Sequence, residues 1–133
     1  MIYQVYYNNI DAKEIRDKFG NIGLSNELIV ALFGFRTLGF LSNKDSHKEE
    51  RWSRNPWVFD NNYFVELLDS KSPYLKTASD KALLEDNDFV NWVEKYARDE
   101  NLFFDKFTEA YVQVSELGTT GLLEENNNKK VIN

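Results

Sequence analysis

The chain reads as an all-α domain with at most a small β element. Three observations predict this class. Apolar residues recur at helical spacing in a series of short segments. An acidic or hydroxyl residue opens most of them, and Gly or Pro closes them. At 133 residues the length is that of one domain, and the sequence holds neither an internal repeat nor a linker.

Residues 1–9 alternate aromatic and polar side chains, as a short strand or an extended arm does. Residues 11–19 read as a helix, with Ile10, Ile15 and Phe19 at helical spacing and Gly20 and Gly23 ending it. Ser25 can cap the next helix, whose core face is Leu24, Leu28, Ala31, Leu32 and Phe35; Gly34 and Gly39 bracket its end. Residues 40–56 read as a polar loop, with Pro56 preventing helix. A helix over 61–68 is capped by Asp60 and broken before Pro73. Short helices follow at 79–85 and 88–98. The last long helix, 100–117, puts Leu102, Phe103, Phe107, Ala110, Tyr111, Val114 and Leu117 on one side and stops at Gly118. The polar residues after it read as a frayed tail.

Composition narrows the chemistry. Ten Phe, seven Tyr and three Trp supply the buried area that a compact core needs at this size. A net charge of −6 argues against nucleic acid, whose phosphates reward Lys and Arg. With no Cys there is no disulfide framework, thiolate metal site or cysteine nucleophile. The single His, His47, sits in the polar loop and leaves little room for His-based catalysis or metal binding. The longest apolar run, residues 28–35, falls far short of the roughly 20 residues that span a bilayer, so no membrane span is expected. No basic residue precedes Lys13, unlike a secretory signal or an Arg-rich transit peptide.

Four blocks carry a resemblance. The run Leu28-Ile29-Val30-Ala31-Leu32-Phe33-Gly34-Phe35-Arg36-Thr37-Leu38-Gly39 resembles the proximal-haem helix of the ascorbate and cytochrome c peroxidases, which reads roughly IVALSGGHTIG. Arg16-Asp17-Lys18-Phe19 with Gly23-Leu24-Ser25 is similar to the family's LRDxFxxxGLS. The stretch from Trp52 through Asn55-Pro56 and Phe59-Asp60-Asn61 to Tyr63-Phe64 is similar to WTxNPxxFDNxYF. Ser79-Asp80-Lys81-Ala82-Leu83-Leu84-Glu85-Asp86 is similar to SDxALLxD. The interval from Arg36 to Trp52 also equals that between the ligand His and its Trp in ascorbate peroxidases.

The resemblance implies the proximal helical half of the haem-peroxidase fold over residues 10–120, between the arm at 1–9 and the tail at 121–133. It also implies site residues. Arg36 stands where the family has its iron ligand, Trp52 at the proximal Trp, and Asp80 at the carboxylate that accepts a hydrogen bond from the ligand imidazole. A guanidinium stays protonated and offers iron no lone pair. The expected arrangement is therefore a buried Arg36–Asp80 pair in place of the His–carboxylate pair, with no catalytic residue. Nothing matches the family's distal Arg, aromatic and His.

Thr37, Ser53, Asn55 and Asp60, with the carbonyl of Val58, fall where ascorbate peroxidases hold a monovalent cation. All are oxygen donors, as a hard cation requires, although Asp60 also suits a helix cap and Asn55 precedes Pro56. The family's ascorbate-contacting Arg falls at Asp45 and a nearby family His at Ser42. Reversing the charge at an anion site replaces attraction by repulsion, so ascorbate is not an expected substrate.

The resulting expectation is a catalytically inactive, peroxidase-like accessory subunit. It would be held by protein partners, by analogy in a mitochondrial respiratory assembly, and otherwise be cytoplasmic. Such a chain carries no cofactor by itself. Haem enters only at an interface with a haem-bearing or distal-half chain, the arrangement of a split peroxidase. A third expectation is a docking module for a basic cytochrome, drawn from the net charge and sensitive to salt.

Overall fold

The computed structural model describes residues 11–42 and 49–132, the stretch 118–132 by its backbone alone. The arm at 1–9, Asp45 and His47 lie outside the described residues. Six α-helices and one small hairpin make up the described part: α1 (Ala12–Gly20), α2 (Asn26–Phe33), β1 (Phe40–Ser42), β2 (Glu49–Arg51), α3 (Asn62–Leu68), α4 (Ala78–Glu85), α5 (Asn87–Arg98) and α6 (Glu100–Ile132). A 3-10 turn, Gly34–Leu38, continues α2 toward the hairpin. The all-α reading holds.

Helix α1 begins where Asp11 accepts the Glu14 N–H, and it ends in a turn closed by Gly23, whose φ of 85° suits a residue without Cβ. Helix α2 is buried almost all round, with Leu28, Ile29, Val30, Ala31 and Phe33 in the core. It packs against α5 and α6 and so forms the centre of the molecule. Ser25 stands at its N-cap without a side-chain bond to the helix. Helix α5 has its cap in Asp86, which accepts from Asp88 and Phe89 N–H, and buries Phe89, Val93 and Tyr96. Around these, Phe64 packs edge-on to Phe103 at 5.0 Å and Phe59 meets Phe107 at 4.8 Å. Such offset and edge-to-face contacts add to what area burial alone supplies.

Gly34 makes one close approach possible. A Cβ there would lie 2.8 Å from Phe64 and closer still to Phe103. The glycine therefore lets the helix end sit flat on the aromatic core.

Five expectations are corrected. Residues 40–56 are not a loop throughout: Phe40 pairs with Arg51, Leu41 with Glu50 and Ser42 with Glu49, antiparallel. The 61–68 helix has Asn61, not Asp60, at its N-cap, while Asp60 accepts the Asn62 N–H from just outside. The helix expected from Ser79 starts at Ala78, because Thr77 and Asp80 form a reciprocal capping box one residue earlier. Phe35 is not on the core face; it falls in the 3-10 turn, whose tighter winding rotates it to 47% exposure, stacked on Phe107. Helix α6 does not stop at Gly118 but runs to Ile132. Gly23 is the positive-φ glycine among the described residues, so Gly118 takes no left-handed turn of the kind that ends a helix. Along the part of α6 whose side chains are described, Phe103 and Ala110 are buried, whereas Tyr111, Val114 and Leu117 are exposed.

Candidate functional site

The site is assembled by four elements that meet behind the end of α2. The 3-10 turn carries Arg36 inward, the strand exit after β2 delivers Trp52, the first turn of α3 supplies Tyr63, and the capping box of α4 presents Asp80. All four side chains are buried, Asp80 completely.

Asp80 is the hub. Its Oδ1 accepts from Arg36 Nη1 at 2.5 Å and from the Tyr63 hydroxyl at 2.6 Å. Its Oδ2 accepts from Trp52 Nε1 at 2.7 Å, from the Thr77 N–H at 2.7 Å and from the Thr77 hydroxyl at 2.9 Å. Arg36 Nη1 also reaches Thr77 Oγ1 at 3.0 Å. The guanidinium lies over the ring of Phe33 at 4.9 Å and that of Trp52 at 5.2 Å. A cation held against aromatic faces in a dry site gains from their quadrupoles. Burial, reinforced by the Asp80 charge and opposed by Arg36, holds the Tyr63 hydroxyl well above its ordinary pKa. It remains a donor to Asp80.

The structure thus brings Arg36, Trp52 and Asp80 together, with Arg36 and Asp80 as an ion pair and the Trp52 indole bonded to the same carboxylate. Tyr63 and Thr77 belong to the same cluster and were not among the expected site residues. Thr77 had a signal, since Thr-x-x-Asp is the capping-box pattern at the start of α4. Tyr63 had none, because its hydroxyl meets Asp80 only through the packing of α3 on α4.

The five oxygen-donor positions divide in two. Thr37 donates its hydroxyl to Asp60 Oδ1 at 2.8 Å, and Ser53 donates to the Thr37 carbonyl at 2.6 Å, so these three come together. Asn55 and Val58 are exposed and close a turn of their own. The Asn55 side chain accepts the Trp57 N–H at 3.0 Å and its carbonyl accepts the Val58 N–H at 3.2 Å. These bonds supply local reasons for Asn55 and Asp60. The oxygen set retains the donor type that a monovalent cation takes.

Iron ligation does not fit this site. The position where the resemblance expects an imidazole holds a protonated guanidinium already bonded to Asp80 and Thr77. Among the described residues no group of three or more His, Cys, Asp or Glu could hold a metal ion, and no helix is long and apolar enough to cross a membrane.

A family model described as peroxidase matches residues 7–99. The chain is 49% identical over 105 residues to cytosolic L-ascorbate peroxidase 2 of Arabidopsis thaliana, a match covering 78% of this chain and 42% of that protein. It is 50% identical over 106 residues to cytosolic L-ascorbate peroxidase 1 of Oryza sativa subsp. indica, with the same two shares, 78% and 42%. Probable peroxisomal L-ascorbate peroxidase 4 of Oryza sativa subsp. japonica is 47% identical over 110 residues, 82% of this chain and 38% of its own length. The chain spans about two fifths of the length of these relatives. With the family pattern matched over residues 7–99, most of its length, the chain belongs to the peroxidase family.

Proposed function

We propose that this chain is a catalytically silent member of the family that acts as an accessory subunit, held by other proteins. One observation carries the reading: the ligand position holds Arg36, buried and paired with Asp80. A guanidinium cannot coordinate iron, and without a bound iron the chemistry of the relatives has no centre. The exposed aromatic groups support a protein-binding role. Trp57 is 78% exposed and Tyr111 61% exposed, and large rigid side chains of this kind anchor interfaces. The relatives' names are cytosolic or peroxisomal, which agrees with a cytoplasmic site for this chain. A place in a mitochondrial respiratory assembly rests on analogy, and fractionation of cells tests it.

A second reading has one observation in its favour. Trp52 and Asp80 are both retained, joined by a hydrogen bond of 2.7 Å, which suits a split haem protein with distal half and iron ligand on another chain. Purifying the native protein with its partners separates the two readings. The accessory reading expects stable partners, no Soret band that tracks this chain and no peroxide consumption. A lone monomer with stoichiometric iron porphyrin and peroxide turnover would refute it.

A further inference from the structure

Asp80 receives five donors on its two oxygens: Arg36 and Tyr63 on one, Trp52 and both Thr77 groups on the other. An ionised carboxylate offers about four lone-pair sites. Its acceptor capacity is therefore filled, and an imidazole brought by another polypeptide finds none of the second-sphere support that orients a ligand. That imidazole would also have to displace a guanidinium 3% exposed, braced by Phe33 and Trp52. Removing a cation from a fully buried carboxylate leaves an uncompensated charge.

Where the family pattern has Ser, this chain has Phe33, whose ring lies under the guanidinium and packs edge-on to Phe19 at 6.3 Å. The change from imidazole to guanidinium is thus accompanied by a neighbour that favours a cation there.

We propose that Arg36 is a built-in cationic substitute for the iron ligand: it holds Asp80, Thr77 and Trp52 together without a cofactor and shuts iron porphyrin out of this position. The inference rests on reading the chain as non-catalytic and deepens it, because it removes the option of a ligand donated to this site by a partner.

The test is a titration of the full chain with hemin, followed by the Soret band and by the indole N–H resonance of Trp52. Wild type is expected to leave that resonance unchanged. Arg36→His, which returns an imidazole beside Asp80 and keeps Trp52, is expected to bind hemin about tenfold tighter or more, with broadening of the Trp52 signal. Equal affinity in the two proteins, or broadening in wild type, overturns the exclusion. Arg36→Gln supplies a second measurement should Arg36→His fail to fold. Loss of the cation is expected to lower Tm by on the order of 5 °C or more, and an unchanged melt overturns the clamp. Peroxide turnover by the native assembly would overturn the non-catalytic reading alone, whereas hemin seated beside Trp52 in wild type would overturn this inference.

Discussion

Arg36 meets Asp80 at 2.5 Å, with side chains 4% and 0% exposed, so the shortest ion pair among the described residues is also the most deeply buried. A pair of this kind is weak evidence of net stability, since desolvation offsets attraction, but breaking it is costly. Asp80→Asn keeps the shape and removes the charge. It should destabilise the fold by about 3–5 kcal/mol in a urea melt. A loss below about 1 kcal/mol would show that the guanidinium finds another partner.

Tyr63→Phe removes one donor and leaves Asp80 with Arg36 on the same oxygen. The expected loss is about 1–2 kcal/mol, smaller than for Asp80→Asn because no charge is stranded. A larger loss for Tyr63→Phe would reverse the assigned hierarchy.

Alkaline titration tests the burial of the same hydroxyl. Burial raises Tyr63 and Tyr96, with neighbouring carboxylates adding to it. Exposed phenols ionise near pH 10. Both raised groups should stay protonated in the folded chain while their unfolded counterparts lose protons. The unfolded state then binds fewer protons, so stability is full below about pH 10 and falls as pH rises further. Absorbance at alkaline pH should show these two tyrosines ionising only with unfolding; early ionisation would contradict their burial.

Asp86 supplies the acid-side counterpart. Burial works against its charge, but the Phe89 N–H, the Arg16 guanidinium at 2.8 Å and the Asp88 N–H hold its carboxyl below the usual range. Its contribution is present above the unfolded pKa and lost as pH falls through the folded one. Asp86→Ala should cost about 1 kcal/mol at pH 7 through the lost cap. The gap between variant and wild type should close near the acid end of the folding range. A gap independent of pH would mean that the charge contributes nothing.

Gly34→Ala probes the seat of the site on the core. The added methyl meets Phe64 and Phe103. Overpacking of this kind costs about 1–3 kcal/mol, and displacement of α2 should also disturb the Trp52 indole signal. An unperturbed melt would show that the aromatic cluster yields freely.

The sequence by itself determined the family, the helical class and the central substitution. Trp52 and Asp80 could be assigned because the blocks around them keep fixed spacing, and a guanidinium at position 36 excludes iron ligation by its chemistry alone. Local rules also placed most helix starts, since caps act within three residues. What they could not reach was long-range. The outward turn of Phe35, the short hairpin, the continuation of α6 past Gly118 and the place of Tyr63 beside Asp80 depend on which surfaces meet. Only the tertiary structure decided that Asp80, besides its own cap residue Thr77, gathers donors from three other elements. The physical reason is that a buried carboxylate must be satisfied by whatever the packing brings to it, and that supply is a property of the assembled fold.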